Sequence, residues 1–477
     1  MTVIIAIDCG TTSTRAIAFD ESGAIIHQEQ RALKRHCPRP DWVEHDPHDL
    51  WIQTRDCLDQ IMAQVTVPIH AIGLTNQRET ALVWQKSSGK PLGPAISWQC
   101  RRTAAMCQQY DADRDRIKAK TGLLLDPYFS ATKFKWHCDT VSDIAALMHQ
   151  KDICFGTVDS WLLWHLTNGD TFATDITNAS RTLLVNIHTG DYDADLCAMF
   201  GIPTHSLPRI MNSADDYGVY TSAKGPIPIH GVLGDQQAAL FAHCGRRSGV
   251  IKNTYGTGLF VMANTGSTPI QSPDLLTTVA IGINGTVDYA LEGSVFTGMD
   301  LLRWLQESMG LVTSPNEATR AAMSVPDNGG VTIIPALSGL GAPHWQPHAT
   351  GCIMGLTQHT QKAHILRAAF EAIALQVNDI VALFRHESTA WSTMIVDGGG
   401  SVNDWLMQLQ ADIVQLMIQR PPCIEATAWG AARCAALWTN HWPDVPDYPP
   451  TLFEPMARPT GLLKQWNHAF LQYHKGM

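Results

Sequence analysis

The sequence contains few charged residues, no long hydrophobic run and no basic cluster. Only 16% of its 477 residues are charged, and the formal net charge is −10. Nucleic-acid binding needs a basic surface that displaces counterions from phosphates, so we expect no nucleic-acid partner. The apolar run at residues 3–7 is too short for a membrane span, and no basic residues precede it as they do in a signal peptide. These absences predict a cytoplasmic protein without a membrane span that acts on a small molecule.

The sequence also lacks the cysteine and lysine motifs that mark common sites. Its twelve cysteines are scattered singly from Cys9 to Cys434, with no Cys-x-x-Cys pair and no histidine grouping at metal-ligand spacing. Neither a zinc site nor a disulfide framework is therefore expected. No glycine turn ends in Gly-Lys-Ser/Thr, which excludes a Walker-type phosphate loop.

Length and hydrophobic patterning predict a two-domain α/β protein. A chain of 477 residues exceeds what one hydrophobic core usually supports. Short β-branched apolar runs alternate with longer helical patterns, which predicts α/β layers. The clearest runs are residues 4–7, 71–74 and 331–335, and the clearest helical patterns are residues 50–64 and 364–384. At residues 243–248 an Ala-rich helical stretch gives way to Gly, Arg and Ser, which predicts a boundary between residues 1–243 and 244–477.

Two glycine turns follow predicted strands and form a faint internal repeat. The first is Asp8-Cys9-Gly10-Thr11-Thr12, and the second is Asn253-Thr254-Tyr255-Gly256-Thr257-Gly258. Glycine lets the backbone approach an anion closely, so N–H groups and hydroxyls in such turns can bind phosphate oxygens. Either turn alone is more often only a tight connection. Asp8 adds a hard oxygen ligand suited to Mg²⁺, with a turn or helix cap as the alternative.

A third glycine turn lies in the C-terminal third. Asp397-Gly398-Gly399-Gly400 follows an apolar strand pattern and precedes a helical pattern at residues 405–415. A flat ligand can lie against such a turn. The flanking elements favour the edge of a nucleotide site over a flexible loop.

Several segments resemble the FGGY carbohydrate kinases, and the resemblance covers nearly the whole chain except the less distinctive C-terminal tail. The segments are Gly10-Thr11-Thr12-Ser13-Thr14-Arg15, Trp42-Val43-Glu44-His45-Asp46-Pro47, Thr75-Asn76-Gln77-Arg78-Glu79-Thr80, Trp98-Gln99-Cys100-Arg101-Arg102-Thr103, Asp126-Pro127-Tyr128-Phe129-Ser130, Gly234-Asp235-Gln236-Gln237-Ala238, Lys252-Asn253-Thr254-Tyr255-Gly256-Thr257-Gly258 and Gly339-Leu340-Gly341-Ala342-Pro343. The resemblance implies an α/β, actin-like and hexokinase-like ATPase fold, in which two ribonuclease H-like domains close over ATP and substrate in a central cleft. It assigns the substrate site and first phosphate turn to residues 1–243, and the second phosphate turn and adenosine site to residues 244–477.

Within the family, the sequence is similar to the members that act on glycerol. The resemblance implies that glycerol contacts Arg78, Glu79, Trp98, Tyr128, Asp235, Gln236 and Phe260. This set suits a triol, because charged and phenolic groups bind hydroxyls while aromatic faces cover the carbons. Taken singly, the charged pair is also compatible with a surface ion pair, the tryptophan and phenylalanine with a core, and Asp235 with a turn.

The same resemblance implies the catalytic and nucleotide residues. Asp235 is the candidate general base, since an alcohol is a poor nucleophile until its proton is accepted. Asp8 and Asp235 are expected to hold Mg²⁺, and Arg15 to offset phosphoryl charge. The expected ATP contacts are Thr11, Thr12, Ser13, Arg15, Thr257, Gly399 and Asn403.

Three positions depart from the family pattern on the nucleotide side. Cys9 stands where the family has Gln, and Met299 and Arg303 stand where it has Gly and Gln. We expect these changes to affect nucleotide affinity or the shape of the nucleotide pocket more than the substrate site.

Regulation and assembly are read from the same resemblance. Bacterial relatives that fructose 1,6-bisphosphate inhibits carry a Gly-rich loop with an Arg, but the matching segment here, Thr221-Ser222-Ala223-Lys224-Gly225-Pro226, is shorter and has no Arg. We predict that this inhibition is weak or absent. Relatives form dimers and tetramers, so the resemblance implies a homo-oligomer.

Two other functions remain alternatives at this stage. One is a kinase for another polyol or a ketopentose, which the joint presence of Arg78-Glu79, Trp98 and Tyr128 disfavours. The other is a catalytically silent actin-like nucleotide-binding protein, which the phosphate turns and the two aspartates disfavour.

Overall fold

The computed structural model describes residues 2–387, 391–423, 425–439, 442 and 449–476. The strands before residue 244 are β1 (Val3–Cys9), β2 (Ser13–Phe19), β3 (Ile25–Ala32), β4 (Glu44–His45), β5 (Ile69–Asn76), β6 (Ala81–Gln85), β7 (Ala95–Ile96), β8 (Ile153–Thr157), β9 (Ala173–Asp175), β10 (Val185–Asn186), β11 (Asp191–Tyr192), β12 (Arg209–Met211), β13 (Val219–Ser222) and β14 (Gly225–Gly234). The later strands are β15 (Val250–Tyr255), β16 (Leu259–Gly266), β17 (Leu276–Ile283), β18 (Thr286–Val295), β19 (Thr332–Ile334), β20 (Cys352–Met354), β21 (Thr393–Asp397), β22 (Met417–Arg420) and β23 (Thr451–Phe453).

The helices cover the faces of these sheets. Those before residue 245 are α1 (Pro47–Gln64), α2 (Ala104–Gln108), α3 (Arg114–Thr121), α4 (Ser130–Thr140), α5 (Ile144–Gln150), α6 (Val158–Leu166), α7 (Ile176–Ala179), α8 (Ala194–Phe200) and α9 (Asp235–Cys244). The later ones are α10 (Asp300–Glu307), α11 (Pro315–Met323), α12 (Lys362–Glu387), α13 (Asp404–Val414), α14 (Ala426–Thr439) and α15 (Thr460–Gly476). In the described residues no helix is both long and apolar enough to cross a membrane.

Two large sheets repeat one topology. The first has the order β13-β14-β5-β1-β2-β3 and the second the order β17-β18-β16-β15-β21-β22-β23. In each, an antiparallel hairpin, β1–β2 or β15–β16, is continued on one side by two parallel strands, β5 and β14 or β21 and β22. The faint internal repeat in the sequence therefore corresponds to equivalent hairpins in the two sheets.

The central strand β1 is buried because its apolar side chains point to both faces of the first sheet. Every residue of β1 is buried, as expected for a central strand covered by helices on both sides. Val3, Ile5 and Ile7 join one core with residues of α1 and α6, while Ile4 and Ala6 point to the opposite face. The predicted α/β class and the predicted strands and helices are confirmed, with shifts of a few residues at their ends.

Helix α14 crosses from the second half of the chain to the first sheet. It packs on β1, β5 and β14 and against α9 through a row of small residues. A Cβ atom on Gly430 would lie 1.9 Å from the carbonyl oxygen of Ala238, so only glycine permits this approach of α14 to α9. Helix α14 therefore belongs to residues 244–477 in the sequence but packs on the sheet formed by residues 1–243.

Candidate active site

The parallel strands of the first sheet place three predicted site segments at one edge. β1, β5 and β14 run parallel, so their carboxyl ends meet. Asp8 and the first glycine turn lie at the end of β1, Arg78 and Glu79 follow β5, and Asp235 follows β14. Ligands of open α/β sheets bind at such edges.

The second sheet contributes its own glycine turns in the same way. β15 and β21 run parallel, and the turns at residues 256–258 and 398–400 follow them. The first of these is closed by a hydrogen bond from the N–H of Gly256 to the carbonyl of Gly258, 3.1 Å long. Gly398 has a φ of 82°, and a Cβ atom there would lie 2.8 Å from the carbonyl oxygen of Tyr255. The third turn is thus packed directly on β15, and it is not a loose loop.

The two edges enclose a polar cavity of about 200 Å³. The predicted residues that line it are Asp8, Thr11, Thr12, Ser13, Arg15, Arg78, Glu79, Trp98, Tyr128, Asp235, Gln236, Thr257 and Phe260. The structure thus brings together all seven residues of the predicted substrate set with both phosphate turns.

Gly399 and Asn403 do not line this cavity. Gly399 is exposed in the turn after β21, and a Cβ atom there would meet no other atom within 4 Å. The Asn403 side chain accepts a hydrogen bond from the N–H of Leu406 at the start of α13 and donates one to Thr319. Asn403 therefore caps α13, and both residues follow β21 of the second sheet.

Arg78 is the centre of a buried charge network. Its Nη1 and Nη2 atoms donate to the two carboxylate oxygens of Glu292 at 2.7 and 2.9 Å, and Nη2 also donates to the Tyr128 hydroxyl at 3.2 Å. Its Nε lies 3.3 Å from Oδ1 of Asp235 and 3.7 Å from Oε1 of Glu79. Arg78 and Glu79 are 2% and 1% exposed, so the alternative of a surface ion pair is wrong.

Glu79 is held in an unusual backbone conformation. Its φ is 59°, which is rare for a residue with a side chain and is often found at functional sites. Its carbonyl oxygen accepts hydrogen bonds from Ser130 and Lys133, both at 3.1 Å. Burial lowers the pKa of Lys133 to about 7.

Aromatic rings form the apolar wall. Trp98 meets Tyr128 and Phe260 edge to face, with ring centroids 5.8 Å apart in both pairs. The Trp98 indole N–H donates to the Thr11 hydroxyl at 2.9 Å, which connects this wall to the first glycine turn. Trp98 and Phe260 do belong to a core cluster, as the alternative supposed, but each also presents a face to the cavity.

Asp235 combines exposure to the cavity with a shifted pKa. It is the first residue of α9, and its side chain is 25% exposed. Burial raises the pKa of Asp235 to about 6, although the positive charge of Arg78 opposes the shift. Nearby negative charges of Glu79 and Asp8 contribute to the rise.

Asp8 and Arg15 face each other across the first hairpin. Nη2 of Arg15 donates to Oδ2 of Asp8 at 3.0 Å, and Nη1 pairs with Glu425, which precedes α14. Burial raises the pKa of Asp8, and the charge of Arg15 lowers it. The charges of Asp8 and Asp235 repel each other across the cavity, so a divalent cation between them would stabilise both carboxylates. No group of three or more metal-binding side chains occurs in the part of the chain that is described.

The three departures from the family pattern lie outside the cavity. Cys9 is buried beside Thr54 on the α1 face of the first sheet. Met299 packs against Gly400 of the third turn, and Arg303 pairs with Asp300 on α10. Cys9 is therefore part of the core, while Met299 lies next to the third glycine turn.

Several residues at or beneath the cavity were not predicted. Gly10, Thr254, Gly256 and Gly258 line it and belong to turns that the sequence already marked, so their signal was present. Thr427 lines it from α14, and no local pattern could place that helix on the first sheet. Glu292 and Arg181, which are fully buried, interact with Arg78 and Glu79 without lining the cavity.

Fold and site together define a two-domain α/β protein of the kinase type, with facing glycine turns around a polar cavity. The model of the N-terminal domain of the FGGY family of carbohydrate kinases matches residues 3–242, and the model of its C-terminal domain matches residues 251–438. The chain belongs to the FGGY family of carbohydrate kinases, which confirms the predicted family and two-domain fold.

Named relatives agree with this assignment over almost the whole chain. A protein named glycerol kinase from Shewanella oneidensis is 46% identical over 93% of this chain and 91% of its own length. Another, from Rhodospirillum centenum, is 43% identical over 99% and 98% of the two chains. The crystal structure of Plasmodium falciparum glycerol kinase with ADP has a TM-score of 0.89 and 33% identity, and covers 99% of this chain and 98% of its own.

Proposed function

We propose that this chain transfers the γ-phosphoryl group of ATP to glycerol and forms sn-glycerol 3-phosphate. The observation that carries the proposal is the convergence of Arg78, Glu79, Trp98, Asp235 and the two phosphate turns on one cavity. The relatives named glycerol kinase support glycerol as the acceptor.

The cavity suits a short polyol. Charged groups of Arg78, Glu79 and Asp235 line it together with the rings of Trp98 and Phe260. Hydroxyl groups would bind the charged groups while the carbon chain packs on the rings. A ligand without hydroxyls would leave buried polar groups unpaired, and this disfavours it.

Asp235 is the proposed general base. Its side chain reaches the cavity beside Arg78, and its pKa of about 6 is closer to neutrality than that of an exposed aspartate. It would accept the proton of the attacking hydroxyl as the bond to the γ-phosphorus forms in line with the departing ADP oxygen. Gln236 and Tyr128 would help orient the hydroxyls.

The glycine turns are the proposed ATP site. Thr11, Thr12 and Ser13 from the first hairpin and Thr257 from the second would bind the phosphates, and Arg15 would offset their charge. Gly399 and Asn403 would contact the adenosine from the second sheet. Mg²⁺, when bound through Asp8 and Asp235, would neutralise the phosphate charge.

The proposed domains are residues 1–243 and 244–477, which close over the cleft. The matched family models, at residues 3–242 and 251–438, support that division. The family resemblance also supports a cytoplasmic homo-oligomer, either a dimer or a tetramer.

Inhibition by fructose 1,6-bisphosphate is proposed to be weak or absent. β13 and β14 are joined by only two residues, Ala223 and Lys224, and the Lys224 ammonium already binds the carbonyl of Val65. This hairpin offers no arginine to a bisphosphate. Titration of the inhibitor into a glycerol-phosphorylation assay measures the effect, and strong suppression at micromolar concentration would refute the proposal.

The main test is coupled ADP release from MgATP with glycerol. We expect robust glycerol-dependent turnover, and we expect Asp235→Asn to lower kcat at least about a hundredfold with a much smaller change in glycerol binding. Asp288→Asn is the control. It removes a buried carboxylate of β18 that pairs with Arg246 and does not line the cavity. Turnover with xylulose, ribulose or erythritol in place of glycerol would favour a kinase for another acceptor. Nucleotide binding without any transfer would favour a silent binding protein.

A further inference from the structure

Beneath the cavity, four side chains form an alternating ring of charges. Arg78, Glu292, Arg181 and Glu79 are 2%, 0%, 0% and 1% exposed. Both carboxylate oxygens of Glu292 accept hydrogen bonds from Arg78. Nη2 of Arg181 donates to Oε1 of Glu292 at 2.9 Å. Nε of Arg181 donates to Oε1 of Glu79 at 2.6 Å, which completes the connection.

Glu292 and one further acceptor hold each terminal nitrogen of Arg78. Nη1 has Glu292 and Gln237 as acceptors, and Nη2 has Glu292 and Tyr128. Nε lies 3.3 Å from Oδ1 of Asp235, a residue that lines the cavity. The bidentate grip of Glu292 therefore fixes which edge of the Arg78 guanidinium faces the cavity.

Arg181 holds Glu79 and Tyr128 in place, as Glu292 holds Arg78. It binds Oε1 of Glu79, whereas Oε2 has no hydrogen bond or ion pair to any described residue. The Arg181 guanidinium also lies 5.5 Å from the centre of the Tyr128 ring. Its contacts thus leave one carboxylate oxygen of Glu79 available and support the neighbouring phenol.

The ring also joins the two halves of the chain. Glu292 lies on β18 of the second sheet, whereas Arg78 follows β5 and Arg181 follows α7. Burying four charges is costly unless each is paired, and well-packed apolar residues would usually be at least as stable. A purely structural role would therefore not require this arrangement.

We propose that Glu292 and Arg181 are positioning residues for the polyol: Glu292 orients Arg78, and Arg181 orients Glu79 and Tyr128, so that Nε of Arg78 and Oε2 of Glu79 face the substrate hydroxyls. The inference rests on the proposed polyol site, and neither residue contacts the substrate itself. The polyol affinity of this enzyme is then set partly from across the domain boundary.

The test compares Michaelis constants for the two substrates in the intact enzyme. Glu292→Gln keeps the shape of the side chain but loses the charge that grips Arg78. We expect its KM for glycerol to rise at least about tenfold, with the KM for MgATP within about twofold of the wild-type value. Asp288→Asn is the control, because Asp288 lies on the same strand and forms its own two-bond pair with Arg246 at 2.6 and 2.8 Å. We expect it to change neither constant.

A second variant covers failure of the first to fold. Arg181→Lys retains every charge, but a lysine cannot bind Glu79 and Glu292 in the same fork geometry. We expect the same selective rise in the KM for glycerol. An unchanged glycerol KM in a folded variant, or equal changes in both Michaelis constants, would overturn the inference. Absence of glycerol turnover in the wild-type enzyme would instead overturn the proposed function.

Discussion

Trp98 has two functions in the cavity at once. Its ring packs edge to face on Tyr128 and Phe260, while its indole N–H donates to the hydroxyl of Thr11 in the first phosphate turn. The wall that would cover the polyol carbons therefore also fixes a residue that would contact ATP. Such a contact can couple the conformation of the polyol site to that of the ATP site.

We expect Trp98→Phe to lower kcat/KM for MgATP by about three- to tenfold because it removes this hydrogen bond, and Thr11→Val to lower it further because it also removes a hydroxyl proposed to bind phosphate. The double variant should lose little more than Thr11→Val alone, since the bond is already absent there. Steady-state kinetics of the four proteins at saturating glycerol measure this coupling. Fully additive losses would show that the bond does not connect the two sites.

At the scale of elements, a partly buried carboxyl group lies between two helices of the second half of the chain. Asp379 of α12 accepts a hydrogen bond from the Trp466 indole N–H of α15 at 2.8 Å. Burial raises the pKa of Asp379 to about 7, although the hydrogen bond from Trp466 favours the charged form and opposes this shift. In the native state the neutral carboxyl is thus favoured below about pH 7.

Asp379→Asn should stabilise the protein more at high pH than at low pH. The pKa of Asp379 is higher in the native state than in the unfolded chain, so its favourable contribution to the free energy of unfolding is present in acid and lost as pH rises through about 7. The asparagine can still accept from Trp466 and does not ionise. Melting temperatures at pH 5.5, 7.0 and 8.5 should show a variant-minus-wild-type difference that increases with pH. The exposed Asp115→Asn on α3 serves as the control, and a pH-independent difference for Asp379→Asn would contradict the expectation.

Local patterns were enough to predict many elements, but not how distant ones meet. β1, β5, α1 and α12 follow from apolar runs and helical periodicity, which depend on neighbouring residues only. The position of α14 on the first sheet depends on small residues fitting a surface built by residues hundreds of positions earlier. Periodicity carries no information about that partner.

The same distinction holds for the candidate site. The phosphate turns and Arg78 were predictable, the turns from strand-and-glycine patterns and the substrate set from the family resemblance. Glu292 was not, because its sequence neighbours only indicate a strand and its function depends on Arg78 and Arg181 across the cleft. Thr427 was missed for the same reason, since it reaches the cavity through α14.

At the scale of the whole molecule, the first half of the chain is incomplete without α14. One face of its sheet, including Ile4, Ile17 and Phe19, is covered by the alanine-rich surface of that helix. In the absence of α14 this face would present a contiguous apolar patch to water. A Cβ atom on Gly73 of β5 would lie 2.3 Å from the carbonyl oxygen of Ala431 in α14, so the sheet and the helix are closely packed.

We therefore expect residues 1–243 expressed alone to aggregate or to bind an apolar dye strongly, because the exposed sheet face lacks its cover. Joining residues 425–439 to this fragment through a flexible linker restores α14, and co-expression with residues 244–477 restores it within the second half. Both should give soluble protein with cooperative unfolding. Size-exclusion chromatography, dye fluorescence and thermal melts of the three samples measure the difference. If residues 1–243 alone were monomeric, free of dye binding and cooperative in unfolding, the first sheet would be stable without α14, and the crossing helix would serve only to connect the two halves.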